Sequence, residues 1–131
     1  MFEGSFHCDP RTTQEEQKAG IIVLSMAGRV LHANRAARGV ARLASGDHRM
    51  PGKDQMVFEV PPLVREFAER VTVHLKGRIE AGEWRQFELK EIMRAAGNVF
   101  LLRGFGLPDI LRRQQSRILI TVHFITTEFP S

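Results

Sequence analysis

Gly20-Ile21-Ile22-Val23-Leu24-Ser25, the turn at Ala27-Gly28, Arg29-Val30-Leu31-His32-Ala33 and then Asn34-Arg35-Ala36-Ala37 make up the stretch whose reading decides the fold. The first run is β-branched and bounded by Gly20. A second run follows across a tight turn that contains Gly28. Two short apolar runs joined in this way read as an antiparallel hairpin. Asn34 stands where the second run ends, and its side-chain oxygen suits the unpaired N–H groups of a first helical turn. Ala36, Ala37, Val40, Ala41 and Leu43 then form an apolar stripe, which predicts a helix over 35–44.

Downstream, residues 45–60 hold Gly46, Pro51 and Gly52 among charged residues and read as a loop that ends in Met56-Val57-Phe58. Pro61-Pro62 opens a longer helix over 62–80. Leu63, Phe67, Val71, Leu75 and Ile79 recur along it, flanked by Val64 and Ala68, while Arg65, Glu66, Glu69, Arg70, Lys76 and Arg78 occupy the other face. Gly82 lies past its end, where positive φ is wanted.

The last third alternates as strands do. Residues 84–93 alternate around Phe87 and Leu89, 95–98 read as a turn, 99–105 as a strand and 106–116 as a connection. The final strand, 117–125, places Ile118, Ile120, Val122 and Phe124 on one face and Leu119, Thr121, His123 and Ile125 on the other. The second set is apolar for a solvent face, so a cover is expected there. Two strands, helices and then three strands predict an α+β fold: a five-stranded antiparallel sheet with helices on one face.

Composition narrows the function. The chain has 131 residues, the size of one domain, and 43% of them are hydrophobic, enough for a core. A net charge of +4, from 19 basic and 15 acidic residues, is no nucleic-acid signature by itself. The single cysteine, Cys8, excludes an internal disulfide and a Cys-rich zinc site. No apolar run approaches the ~20 residues of a membrane span, and residues 1–10 carry no signal-peptide pattern. A cytoplasmic location without a membrane partner is expected. The expected organisation is a tail or interface helix at 1–18, one domain at 19–127 and a short tail at 128–131.

The opening stretch, from Gly20-Ile21-Ile22-Val23-Leu24 through Asn34-Arg35-Ala36-Ala37, resembles the start of a PAS domain. Trp84-Arg85-Gln86-Phe87-Glu88-Leu89, Leu101-Leu102-Arg103-Gly104-Phe105-Gly106-Leu107-Pro108-Asp109 and Ser116-Arg117-Ile118-Leu119-Ile120 are similar to PAS-type sensor segments that precede LuxR-type helix-turn-helix regulators. The resemblance covers about residues 19–126. It implies a PAS-like sheet and a sensory role in a bacterial regulator, with a C-terminal output domain or a partner regulator to receive the signal. Two departures stand out. One long helix at 62–80 replaces the family's several short ones, which puts the usual ligand pocket in question. Flavin photosensors of this fold need a cysteine beside the ring, and Cys8 lies in the N-terminal segment.

The candidate residues follow from these readings. Phe67, Val71, Leu75, Phe87, Leu101, Ile120 and Val122 are expected to enclose the core or a small ligand pocket. Leu119, Thr121, His123 and Ile125 are expected to form a homodimer interface, joined by Ile21 and Val23 or by Ile22 and Leu24 according to register. The histidines His7, His32, His48, His74 and His123 include no close pair at ligand spacing, so no metal site is expected. His74 on the long helix is a haem-ligand candidate; otherwise no cofactor is expected. Arg103, Arg112, Arg113 and Arg117, with Lys90 and Arg94, are a candidate basic patch for nucleic acid. No nucleophile–base pair is identifiable, and the chain does not read as an enzyme. The leading expectation is a sensory and dimerisation module. The alternatives are a small-ligand or haem sensor with an internal pocket and a nucleic-acid-binding module that uses the 103–117 region.

Overall fold

The computed structural model describes residues 19–45 and 59–127. The segment at 1–18 with His7 and Cys8, most of the 45–60 loop with His48, and the tail at 128–131 lie outside the described residues. Five strands, β1 (Gly20–Ser25), β2 (Val30–Ala33), β3 (Phe87–Ala95), β4 (Asn98–Leu107) and β5 (Arg117–Thr127), form one antiparallel sheet in the order β2-β1-β5-β4-β3. Helices α1 (Arg35–Ser45) and α2 (Pro62–Glu80) pack on the same face of it. A 3-10 turn, Arg113–Gln115, precedes β5.

Asn34 is the joint between hairpin and helix. Its Oδ1 accepts from the backbone N–H of Ala37 at 2.9 Å, which caps α1, and from that of Ile21 at 2.9 Å. Its Nδ2 donates to the carbonyl of Ala19 at 3.1 Å. One side chain thus satisfies an orphan helix donor and fixes the helix to β1. The approach there is close: a Cβ on Gly20 would stand 2.8 Å from the Cα of Ala37. The β1–β2 turn uses Gly28 at φ 87, and α2 is followed by Gly82 at φ 76.

The core lies between α2 and the inner face of the sheet. Val64, Phe67, Ala68, Val71, Leu75 and Ile79 of α2 meet Ile22, Leu24, Met93, Phe100, Leu102, Ile118, Ile120 and Val122. Two sequence expectations are corrected. Leu63 stays 42% exposed while Val64 is buried. A strict four-residue spacing drifts by about 40° per step on an α-helix, so the stripe from Leu63 to Ile79 cannot remain on one face. Leu101, expected in the core, lies on the outer face opposite His123 and Ile92, and Leu102 takes the inner position. Residues 99–102 are apolar without a break, so alternation alone could not set their parity.

Strand limits shift slightly. β3 begins at Phe87 rather than at Trp84, and β4 and β5 run longer than expected. Arg70 of α2 pairs with Glu91 of β3, and the Arg78 guanidinium lies 4.5 Å from the centroid of the Phe87 ring. These contacts hold the helix against the edge strand.

Candidate functional site on the outer face of the sheet

The outer face is built from the alternate residues of the same strands. Register places Val23 beside Leu119 and Leu119 beside Phe105, with Glu88 completing the row on β3 and His32 on β2. The next row runs Ile21, Thr121, Arg103, Lys90. His123, Leu101 and Ile92 follow. The sequence had left open which residues of β1 adjoin Leu119 and Thr121; they are Ile21 and Val23. The central strand therefore carries Ile118, Ile120 and Val122 against the helices and Leu119, Thr121 and His123 on the side that bears no helix among the described residues.

Three of the four expected interface residues, Leu119, Thr121 and His123, share this face. Ile125 is 50% exposed and sits at a bulge, where Phe100 pairs with Phe124 and Val99 with Thr126. Phe124 turns edge-on to Phe100, with ring centroids 5.8 Å apart. At the centre of the outer face the Thr121 hydroxyl oxygen is buried and has no hydrogen-bond partner among the described residues. Leaving such a group unpaired costs about 1–3 kcal/mol.

The face is mixed: His32, Glu88, Thr121, Arg103, Lys90 and His123 stand in these rows beside the apolar residues. Arg103 Nε donates to Glu88 Oε2 at 2.5 Å, and the guanidinium lies 5.4 Å from the Phe105 ring centroid. Arg103 holds the Glu88 carboxyl below its ordinary value of 4.5 by this hydrogen bond and by its charge, and the same pairing raises Arg103. Sequence reasoning missed this pair because Glu88 and Arg103 are 15 residues apart and only register brings them together.

Among solved structures, a domain from Haloarcula marismortui named as part of a light and redox sensing histidine kinase matches with a TM-score of 0.51 and 13% identity. The match covers 90% of this chain and 100% of that one. The fold is PAS-like. A domain of an HTR-like protein from Haloarcula marismortui matches at a TM-score of 0.49 with 18% identity, over 82% of this chain and 98% of that one. A sensory box sensor histidine kinase from Vibrio cholerae matches at 0.45 with 8% identity, over 95% and 98%. No family model and no curated protein matches the chain.

Within this PAS-like fold the space between α2 and the sheet is filled by side chains. Gly104 and Gly106 of β4 face inward. A Cβ on Gly104 would stand 2.6 Å from Cγ2 of Val71 and 2.9 Å from Cε2 of Phe67, and the Phe87 ring lies over Gly106. Phe67, Val71, Leu75, Ile120 and Val122 are thus brought together as core, with Phe87 half-buried at its margin. The haem candidate His74 is exposed on α2, its ring centroid 6.2 Å from that of Phe87. A cleft of about 490 Å³ opens at the margin of the core, lined by Leu24, Met26, Val30, Val60, Thr72 and Val73, with Arg65, Glu69 and Lys76 at its polar side.

The candidate basic patch divides. Lys90 and Arg103 lie side by side on the sheet face, whereas Arg112 and Arg113 belong to the β4–β5 connection, and the Leu119–Phe105 row stands between Arg103 and Arg117. Among the described residues, no group of three or more His, Cys, Asp or Glu is placed to hold a metal ion, and no helix is long and apolar enough to cross a membrane.

Proposed function

We propose that the chain is the sensory and dimerisation module of a bacterial signalling or transcription regulator. It relays its signal through a homodimer formed by the outer face of the sheet. The observation that carries this reading is the buried Thr121 hydroxyl, without a hydrogen-bond partner among the described residues, set between Ile21 and Arg103 and flanked along its strand by Leu119 and His123. A face that mixes apolar rows with an orphaned hydroxyl at its centre calls for another surface that supplies contacts and a hydrogen-bond partner. A second copy offers the same apolar rows and the same hydroxyl, as a self-complementary interface requires.

The mechanism is a two-state one. Ile118, Ile120 and Val122 touch the helices while Leu119, Thr121 and His123 meet the partner, so a shift of α2 on the inner face is transmitted through one strand. A signal biases the equilibrium only by binding one packing better than the other. The output is a C-terminal domain or a separate regulator. The PAS-like fold, met in a histidine kinase domain named for light and redox sensing, supports a place in signalling. Light scattering tests the reading: the wild type runs as a dimer, and Leu119→Glu runs as a folded monomer. A wild type that is strictly monomeric at micromolar concentration overturns it.

The cleft beside Leu24 and Val30 favours a second reading, a sensor of a small molecule with an apolar body and a charged group. Filling it with Val30→Trp removes the thermal shift that such a ligand produces in the wild type. A shift that survives Val30→Trp places the ligand elsewhere.

A further inference from the structure

The connection between β4 and β5 ends in an apolar tip. Ile110 is 64% exposed and Leu111 89% exposed, side by side in sequence. Scattered surface leucines need no explanation, but this pair is held out by built-in geometry. The Asp109 carboxylate accepts from the backbone N–H groups of Leu111 and Arg112, both at 3.0 Å. The Asp109 N–H in turn donates at 2.9 Å to the hydroxyl of Ser116, which is fully buried. The loop is thereby fixed at its base and its two aliphatic side chains face water.

Around the tip the charge is basic. Arg112 and Arg113 follow it directly, and Arg117 donates to the carbonyls of Gln114 and Ser116. The Arg113 guanidinium lies 5.7 Å from the Trp84 ring centroid, which brings in the next loop, where Trp84, Arg85 and Arg78 line a cleft of about 450 Å³. Two acids at this end have partners: Asp109 caps the loop backbone, and Glu83 stands 3.9 Å from Arg78, while Glu80 at the end of α2 is exposed.

We propose that this tip adsorbs to an anionic membrane surface, Ile110 and Leu111 entering the headgroup–acyl boundary and the surrounding arginines meeting lipid phosphates. The expectation of no membrane partner rests on the lack of a spanning segment; adsorption to a surface needs no such segment, and the exposed tip revises that expectation. A protruding pair of aliphatic side chains inside a basic collar fits a fluid interface, which yields to any shape. A specific protein interface instead asks for about 800 Å² from each partner, far more than two side chains supply. Each arginine close to an anionic surface contributes about fivefold in binding.

Flotation with phosphatidylcholine vesicles, with and without phosphatidylglycerol, tests the proposal on the whole chain. The wild type is expected to float only with the phosphatidylglycerol vesicles and to be released by high salt. Ile110→Ser/Leu111→Ser and Arg112→Gln/Arg113→Gln are each expected to lose at least about tenfold in binding. Leu111→Ser alone serves if a double variant melts differently from the wild type. No flotation overturns the proposal and leaves an acidic groove on another protein as the occupant. Flotation that ignores loss of Ile110 and Leu111, or that is equal on pure phosphatidylcholine, overturns it as well.

Discussion

The inner and outer faces of β5 differ by a single residue step and have opposite fates. Ile118, Ile120 and Val122 are sealed beneath α2, while Leu119, Thr121 and His123 keep part of their surface and one unpaired hydroxyl. Composition distinguishes the two sets in part: the inner one is wholly aliphatic, and the outer one sets Leu119 beside Thr121 and His123. What separates them is that, among the described residues, helices cover one side only. The outer set is still more apolar than a solvent face requires, so both faces call for cover, and among the described residues topology gives helices to the inner one alone.

Substitutions that treat the two faces alike should break that symmetry. The largest effect is expected inside: Ile120→Ala should cost about 2–5 kcal/mol in chemical denaturation, because the cavity beneath α2 cannot collapse fully. Leu119→Ala, measured on the monomer, should cost less than about 1.5 kcal/mol, since that side chain is only half-buried there. Equal losses would mean that the faces are not distinct. Next, Gly104→Ala should cost about 1–3 kcal/mol through overpacking, because the new methyl meets Val71 and Phe67. An unchanged midpoint would show a looser core than described.

A subtler contrast concerns Thr121. Thr121→Val removes a buried hydroxyl that is unpaired among the described residues, so monomer stability should rise by about 1 kcal/mol. Dimer affinity should fall if that hydroxyl bonds across the interface. A destabilised monomer would reveal a partner within the chain. The smallest effect is electrostatic. Glu88 is held below its ordinary value by Arg103, so the pair's contribution is present above about pH 4.5 and is lost as pH falls through the depressed value. The pair is well exposed, so the loss is small. A carboxyl NMR titration should show the depression in the wild type and its absence in Arg103→Gln.

Much of this was legible because it is local. The hairpin, the Asn34 cap and the helix over 62–80 are each announced by a turn residue, a capping side chain or a helical period. Leu101 was misplaced because Val99-Phe100-Leu101-Leu102 has no polar member to set its phase. The needed signal lay two residues on: Gly104 and Gly106 share the parity of Leu102, and bare Cα positions in a strand mark where large side chains approach. The outer face could be read from the last strand alone. Its Arg103–Glu88 pair and its choice of Ile21 and Val23 could not, since both depend on register between distant segments. The division of the arginines into a sheet-face group and a loop group was hidden for the same reason.

Methyl-resolved NMR over a dilution series tests the central claim most directly. If a second copy covers the outer face, methyl signals of Ile21, Val23, Leu101 and Leu119 shift with concentration while those of Ile118 and Ile120 stay fixed. Outer-face methyls that stay fixed from dilute to concentrated solution, or inner-face methyls that move instead, would contradict it.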